Sequence, residues 1–162
     1  MNTYLVIKWL HILSSVLMVG TGLGSAFYMF FTNRSGSVPA QAVVSRLVVR
    51  ADWCFTTPTV ILQPLTGFAL AQMAGWPMST PWLALSLGLF VLTGACWLPV
   101  VWLQIRMAAM AAQAQRDGTP LPPLYVRYQR RWELLGYPAF VAMVAVFYLM
   151  VNKPALAFWP FA

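Results

Sequence analysis

Charged residues are scarce in this sequence: they make up 8% of its 162 residues, and only 3 of them are acidic. A soluble globular domain carries about 25% charged residues, which keep its surface in water. Hydrophobic residues account for 60% of the chain. This composition excludes a soluble protein and predicts a multi-pass membrane protein whose surface contacts membrane lipids.

Cysteine and histidine are also rare, with two Cys and one His. A disulfide framework needs more cysteines, and a protein zinc site needs about four ligands, most often Cys and His. Both kinds of site are excluded. Cys54 and Cys96 fall in different hydrophobic segments, where we interpret them as small apolar residues.

Four hydrophobic runs are long enough to cross a bilayer, which takes about 20 helical residues. They cover residues 4–31, 53–74, 81–103 and 134–151. We therefore predict a single all-α membrane domain over residues 1–162, folded as a bundle of four transmembrane helices. Pro58 and Pro64 should kink the second span, and an Ala-rich stretch is expected to extend the third beyond the membrane.

The basic residues are distributed unevenly between the connections. Eight of the ten lie between spans one and two or between spans three and four: Arg34, Arg46, Arg50, Arg106, Arg116, Arg127, Arg130 and Arg131. Four antiparallel spans place these two connections on one side, which the positive-inside rule assigns to the cytoplasm. Both termini are then expected on the outer side. Because orientation accounts for the basic excess, no nucleic-acid partner is predicted.

His11 lies within the first span, where an ionisable residue is costly and by default marks a functional site. A helical wheel places it on one face with Ser15, Met18, Gly22 and Ser25. Small residues on this face allow close approach of another helix or of a flat ligand. Two interpretations stay open: a hydrogen-bonded histidine in a helix interface, or an axial ligand to haem iron.

A polar stripe runs along the second span at helical spacing. It consists of Thr56, Thr59, Gln63 and Thr66, with Gly67. Gln63 and Thr66 fall at a depth similar to that of His11, and so do Ser86 of span three and Tyr148 of span four. The stripe either forms a polar layer with His11 or satisfies the carbonyls that the two prolines release.

Two acidic residues lie directly before the predicted second and fourth spans. Asp52 and Glu133 would favour the helix N-termini there, and we expect them to pair with Arg50 or Arg130. The preceding Tyr125–Trp132 stretch is typical of an interfacial helix. Its arginines either face solvent at the membrane surface or form a binding site for an acidic group.

The order of the motifs resembles that of a known family. The motifs are KWLHILS, RLVVRADW, TTP with TGFAL, GWPMSTPWL, WELLGYPAF and VNKP. The whole chain resembles an uncharacterised family of bacterial integral membrane proteins, domain of unknown function 2269, which implies the bacterial inner membrane. More distantly it is similar to the HemJ-type protoporphyrinogen oxidases, four-helix membrane proteins that carry haem b. By this resemblance, His11 matches the histidine of the oxidases' leucine-histidine-isoleucine motif.

The chain departs from the oxidases at the residues that would act on a porphyrinogen. Their third span opens with tryptophan-leucine-histidine, one residue and lysine, whereas this chain has Ala84 and Ser86 at those two positions. Their asparagine-glutamate before the proline of span four is replaced by Leu135-Gly136. A base for proton abstraction is therefore not identified.

The resemblance implies haem b bound through His11, with Gln63, Thr66 and Tyr148 lining the pocket and a redox or haem-related role. The second axial position would be empty, taken by Met, or filled by His11 of a second copy in a homo-oligomer. The alternative is a non-catalytic membrane scaffold or accessory subunit that binds other membrane proteins. A porphyrinogen oxidase is the third hypothesis.

Overall fold

The computed structural model describes residues 2–155, and every regular element in that range is helical. The elements are α1 (Thr3–Arg34), α2 (Val38–Ala51), a π-helical turn (Asp52–Thr56), α3 (Thr57–Met73), α4 (Pro81–Asp117) and α5 (Pro123–Asn152). The predicted number of four spans is confirmed, because the described residues form four helices long and apolar enough to cross a membrane.

The helix that contains the second hydrophobic run is longer than the run itself, because α2, the π-helical turn and α3 form one continuous helix over Val38–Met73. Pro58 lies in the first turn of α3 and has no N–H to donate. The π-helical turn lies directly before it. There the Thr57 N–H donates to the Asp52 carbonyl five residues earlier, instead of the carbonyl four residues earlier as in an α-helix. The expected irregularity at Pro58 is therefore a π-helical turn, whereas Pro64 lies inside α3.

Helices α4 and α5 also extend beyond the predicted hydrophobic runs. The Ala-rich end of α4 stays helical to Asp117, as expected, and α5 begins at Pro123. Asp52 and Glu133 consequently lie inside continuous helices, so their predicted positions at helix N-termini are wrong. The predicted pairing is also wrong: Glu133 pairs with Arg34, and Asp52 accepts a hydrogen bond from Thr56.

The helices pack mainly in pairs. Helix α1 packs against α2 and α3, while α4 packs against α5 and α2. We call the end that holds the connections 35–37 and 118–122 the basic end, and the end that holds Thr3, Gly75 and Asn152 the terminal end. A buried cluster joins four helices at the basic end: Met29, Ala42, Val48, Leu103, Met107, Ala111, Tyr125 and Trp132. A smaller one at the terminal end contains Ala71, Trp82, Leu83 and Leu149.

Polar contacts connect α1 to α5 at the basic end. Arg34 donates two hydrogen bonds to the Glu133 carboxylate, at 2.8 and 3.0 Å. The Tyr125 hydroxyl donates to Asn33 Oδ1 at 2.6 Å. Away from this end, α1 and α5 make few direct contacts within the described residues. This separation leaves space between them.

The outer surface of the bundle is apolar, as expected of helices that face lipid. Leu65, Val91, Leu134 and Val151 are all more than 60% exposed. A soluble protein would place such side chains in its core. The chain is therefore an integral membrane protein whose helices contact lipid.

The fold places both ends of the described chain at the terminal end, since Tyr4 and Lys153 border the same cavity. With the basic end in the cytoplasm, a topology reporter fused after Arg116 should be cytoplasmic and one fused after Ala162 external. Paired alkaline phosphatase and fluorescent protein fusions measure both positions. A cytoplasmic reporter after Ala162 would contradict the predicted orientation.

Candidate functional site

The candidate site is a cavity of about 550 Å³ between the four spans in the half near the terminal end. We call it the terminal-end cavity. His11, Ser15 and Met18 reach it from α1, Gln63 from α3 and Ser86 from α4. Of the predicted polar layer, His11, Gln63 and Ser86 border this cavity, whereas Thr66 and Tyr148 do not.

His11 connects α1 to α3 through both ring nitrogens. Nδ1 lies 2.8 Å from Thr66 Oγ1, and Nε2 lies 3.2 Å from Gln63 Nε2. The Ser14 hydroxyl donates to Gln63 Oε1, which adds a second residue of α1 to the network. We call these four residues the His11 network.

The donors in the His11 network can be assigned from its geometry. Thr66 Oγ1 donates to the Leu62 carbonyl at 2.7 Å, so it accepts from His11 and Nδ1 carries the imidazole proton. The Gln63 amide then donates to Nε2, while its oxygen accepts from Ser14. Each of these groups has a partner, which matters because lipid offers none.

Helical periodicity explains why these residues meet. His11 and Ser14 are three residues apart on α1, and Gln63 and Thr66 are three apart on α3, so each pair occupies one face. Gly67 admits the imidazole, since a Cβ at this position would lie 3.3 Å from His11 Cε1. The close approach of the two helices therefore depends on a residue without a side chain.

Tyr148 is the one predicted site residue that the structure does not bring to the others. Its side chain is 61% exposed on the surface of α5, and it does not border the terminal-end cavity. Its neighbours Phe147 and Met150 border the cavity instead. The depth of Tyr148 matches that of His11, but the rotation of α5 turns it outward.

Sequence reasoning missed Ser14 and the two lysines of the site. Ser14 is only 2% exposed, and it lies beside the helical face that was assigned to His11. Lys8 and Lys153 border the terminal-end cavity, and Lys153 Nζ lies 5.8 and 5.6 Å from the ring centroids of Trp76 and Trp82. The three-residue spacing from His11 could have indicated both Lys8 and Ser14.

The site has one imidazole as a strong metal ligand. Within residues 2–155, no group of three or more His, Cys, Asp or Glu side chains could hold a metal ion. A free ion held by protein ligands alone is therefore unsupported there. The site can supply a single axial nitrogen to a metal that brings its own ligands, or it can serve as a hydrogen-bonded helix contact.

The fold and the site together define an integral membrane protein with four helical spans and a polar site inside the bundle. The family described as "Predicted integral membrane protein (DUF2269)" matches residues 5–154, and the chain belongs to this family. No curated protein and no solved structure matches the chain.

Replacing Gln63 tests the network directly. Gln63→Leu removes the partner of His11 Nε2 and one of the two acceptors of Ser14, whose hydroxyl can still donate to the His11 carbonyl at 3.0 Å, at a cost of about 1–2 kcal/mol within a membrane. Unfolding of the purified protein in mixed micelles by increasing SDS measures the change. Gln72→Leu is the matched control, because Gln72 is exposed on the same helix. Equal stability of the two variants would contradict a structural role for the network.

Proposed function

We propose that the chain is a haem b-binding protein of the bacterial inner membrane, in which His11 coordinates the iron and the role is redox or haem-related. The observation that carries the proposal is the hydrogen bond from His11 Nδ1 to Thr66 beside a cavity. It leaves the Nε2 lone pair as the one that can bind a metal, and metal-binding histidines commonly have such an outer partner on the other nitrogen.

The cavity residues fit a haem in their chemistry. The walls are mostly apolar, which suits a porphyrin, and Lys8 and Lys153 provide cations for its two carboxylates. Met18, Met143 and Met150 border the same cavity, so a thioether would be available there as a second ligand to the iron. When bound, a haem supplies one-electron redox chemistry at its iron.

Gln63 is the residue that must move. Its amide donates to His11 Nε2, so coordination at that nitrogen requires this hydrogen bond to break. Gln63 also borders the terminal-end cavity, where the released amide stays close to a bound group. Thr66 keeps its bond to Nδ1 and holds the imidazole orientation.

A visible spectrum tests the proposal. Protein purified from haem-sufficient cells should show a Soret band that shifts on reduction, and His11→Ala should lack the band. Thr66→Val should weaken haem binding by roughly 10- to 100-fold, because it removes the outer partner of the ligand. Gln63→Leu leaves the imidazole in place and should keep the band.

The stability of the same variants serves as the control. His11→Ala must remain monodisperse in detergent for its lost band to count, and Gln72→Leu should match the wild type in colour. A colourless wild-type protein from cells supplied with haem would contradict the proposal. A full band in His11→Ala would exclude His11 as the ligand.

A second candidate function is a non-catalytic membrane scaffold or accessory subunit. It is favoured by the complete bonding of the His11 ring, since both nitrogens already have partners within the protein. The apolar outer surfaces of the helices would then bind other membrane proteins or a second copy. Colourless wild-type protein together with a destabilised His11→Ala variant would support this function.

A further inference from the structure

A second cavity lies in the half of the bundle near the basic end, and its volume is about 430 Å³. We call it the basic-end cavity. Its walls come from α1, the π-helical turn, α4 and α5, with Val60 of α3, and neither His11 nor Gln63 borders it. Met18, Phe90 and Met143 border both cavities and mark the boundary between them.

Two deeply buried polar side chains line the basic-end cavity with unpartnered atoms. Asp52 is 4% exposed and Gln104 is 5% exposed. Asp52 Oδ1 accepts from Thr56 Oγ1 at 2.9 Å, whereas Asp52 Oδ2 and Gln104 Oε1 have no hydrogen-bond partner within the described residues. Both free atoms are oxygens that can accept a hydrogen bond, and the Gln104 side chain lies next to the Asp52 carboxyl, so one head group can reach both. A buried acceptor without a donor is costly, so the pair favours an occupant that brings donors.

Most of the remaining wall is apolar, and it opens toward lipid between α1 and α5. Phe27 and Phe31 of α1 and Tyr137 and Phe140 of α5 border the cavity, yet each is about half exposed. At the basic end the gap is bridged by the bonds from Arg34 to Glu133. A lipid-soluble molecule can therefore enter sideways from the bilayer.

The position of the acceptors along the helices matches the position of a lipid head group. Gln104 follows Pro81 by 23 residues, which is about 35 Å of helical rise and close to the thickness of the hydrocarbon core. The acceptors thus lie near one membrane surface. The apolar part of the cavity extends from them toward the bundle centre at Phe90 and Met143.

We propose that the basic-end cavity binds a single-chain amphiphile whose head group carries hydrogen-bond donors. The head, a hydroxyl or an amine, donates to Asp52 Oδ2 and Gln104 Oε1. The chain lies along the apolar wall between α1 and α5. This site is separate from the His11 network and does not depend on haem.

Native mass spectrometry of the full-length protein in detergent tests this proposal with three probes of equal chain length. Oleyl alcohol and oleylamine carry donors, whereas methyl oleate carries acceptors only. Both donor probes should bind at least about tenfold more tightly than the ester, since a donor that satisfies a buried, unpartnered oxygen removes the desolvation penalty of that oxygen. The alcohol and the amine together distinguish a neutral head from a cationic one.

Two variants locate the binding. Asp52→Asn keeps an oxygen for Thr56 but turns the free acceptor into a donor, so oleylamine, whose ammonium has donors only, should bind about tenfold more weakly. Gln104→Met removes the other acceptor and should act in the same direction. Gln41→Met is the matched control, because Gln41 is 4% exposed and also has an unpartnered oxygen but does not border the cavity.

The proposal is overturned if methyl oleate binds as tightly as the alcohol. It is also overturned if Asp52→Asn and Gln104→Met bind the donor probes as tightly as the wild type does. Equal weakening by Gln41→Met would also overturn it, since the effect would then not come from the cavity. His11→Ala should bind the alcohol normally, which separates this result from that of the haem experiment.

Discussion

Lipid hydrocarbon cannot hydrogen-bond, and this constraint governs the packing of the whole bundle. Each polar side chain within the membrane must find its partner inside the protein. The His11 network meets the requirement by joining α1 to α3, with Ser14, Gln63 and Thr66 each serving a neighbour. Van der Waals packing then completes the contact. Hydrophobic burial adds little to it, because lipid tails are as apolar as the side chains that leave them.

The bundle meets the constraint differently in its two halves. Near the terminal end, the residues of the His11 network are paired with one another, whereas the buried Trp82 Nε1 beside the same cavity has no hydrogen-bond partner within the described residues. Near the basic end, Asp52 and Gln104 keep free acceptors beside an apolar cavity. The two cavities therefore differ in the unpartnered groups beside them: a donor, Trp82 Nε1, at the terminal-end cavity and two oxygens, on Asp52 and Gln104, at the basic-end cavity.

Several features of this arrangement could be predicted from residue order. The four spans follow from hydrophobic length, and the shared face of Gln63 and Thr66 follows from helical spacing. The start of the second helix could not be predicted from hydropathy, because the helix extends through a more polar stretch outside the hydrophobic run. The partner of Glu133 was missed for a different reason: Arg34 is 99 residues away, and only packing of α1 near α5 brings it close.

The sequence by itself determined that the chain is an all-α membrane protein, since composition and hydrophobic length depend on no contact between distant residues. It also determined which residues share a helical face, because the period of the α-helix is constant. Only the tertiary structure decided how each helix is rotated against its neighbours. That rotation places His11 against Thr66, turns Tyr148 outward and leaves Asp52 with a free oxygen. Rotation depends on packing among all four spans, so it cannot be deduced from the sequence of a single helix.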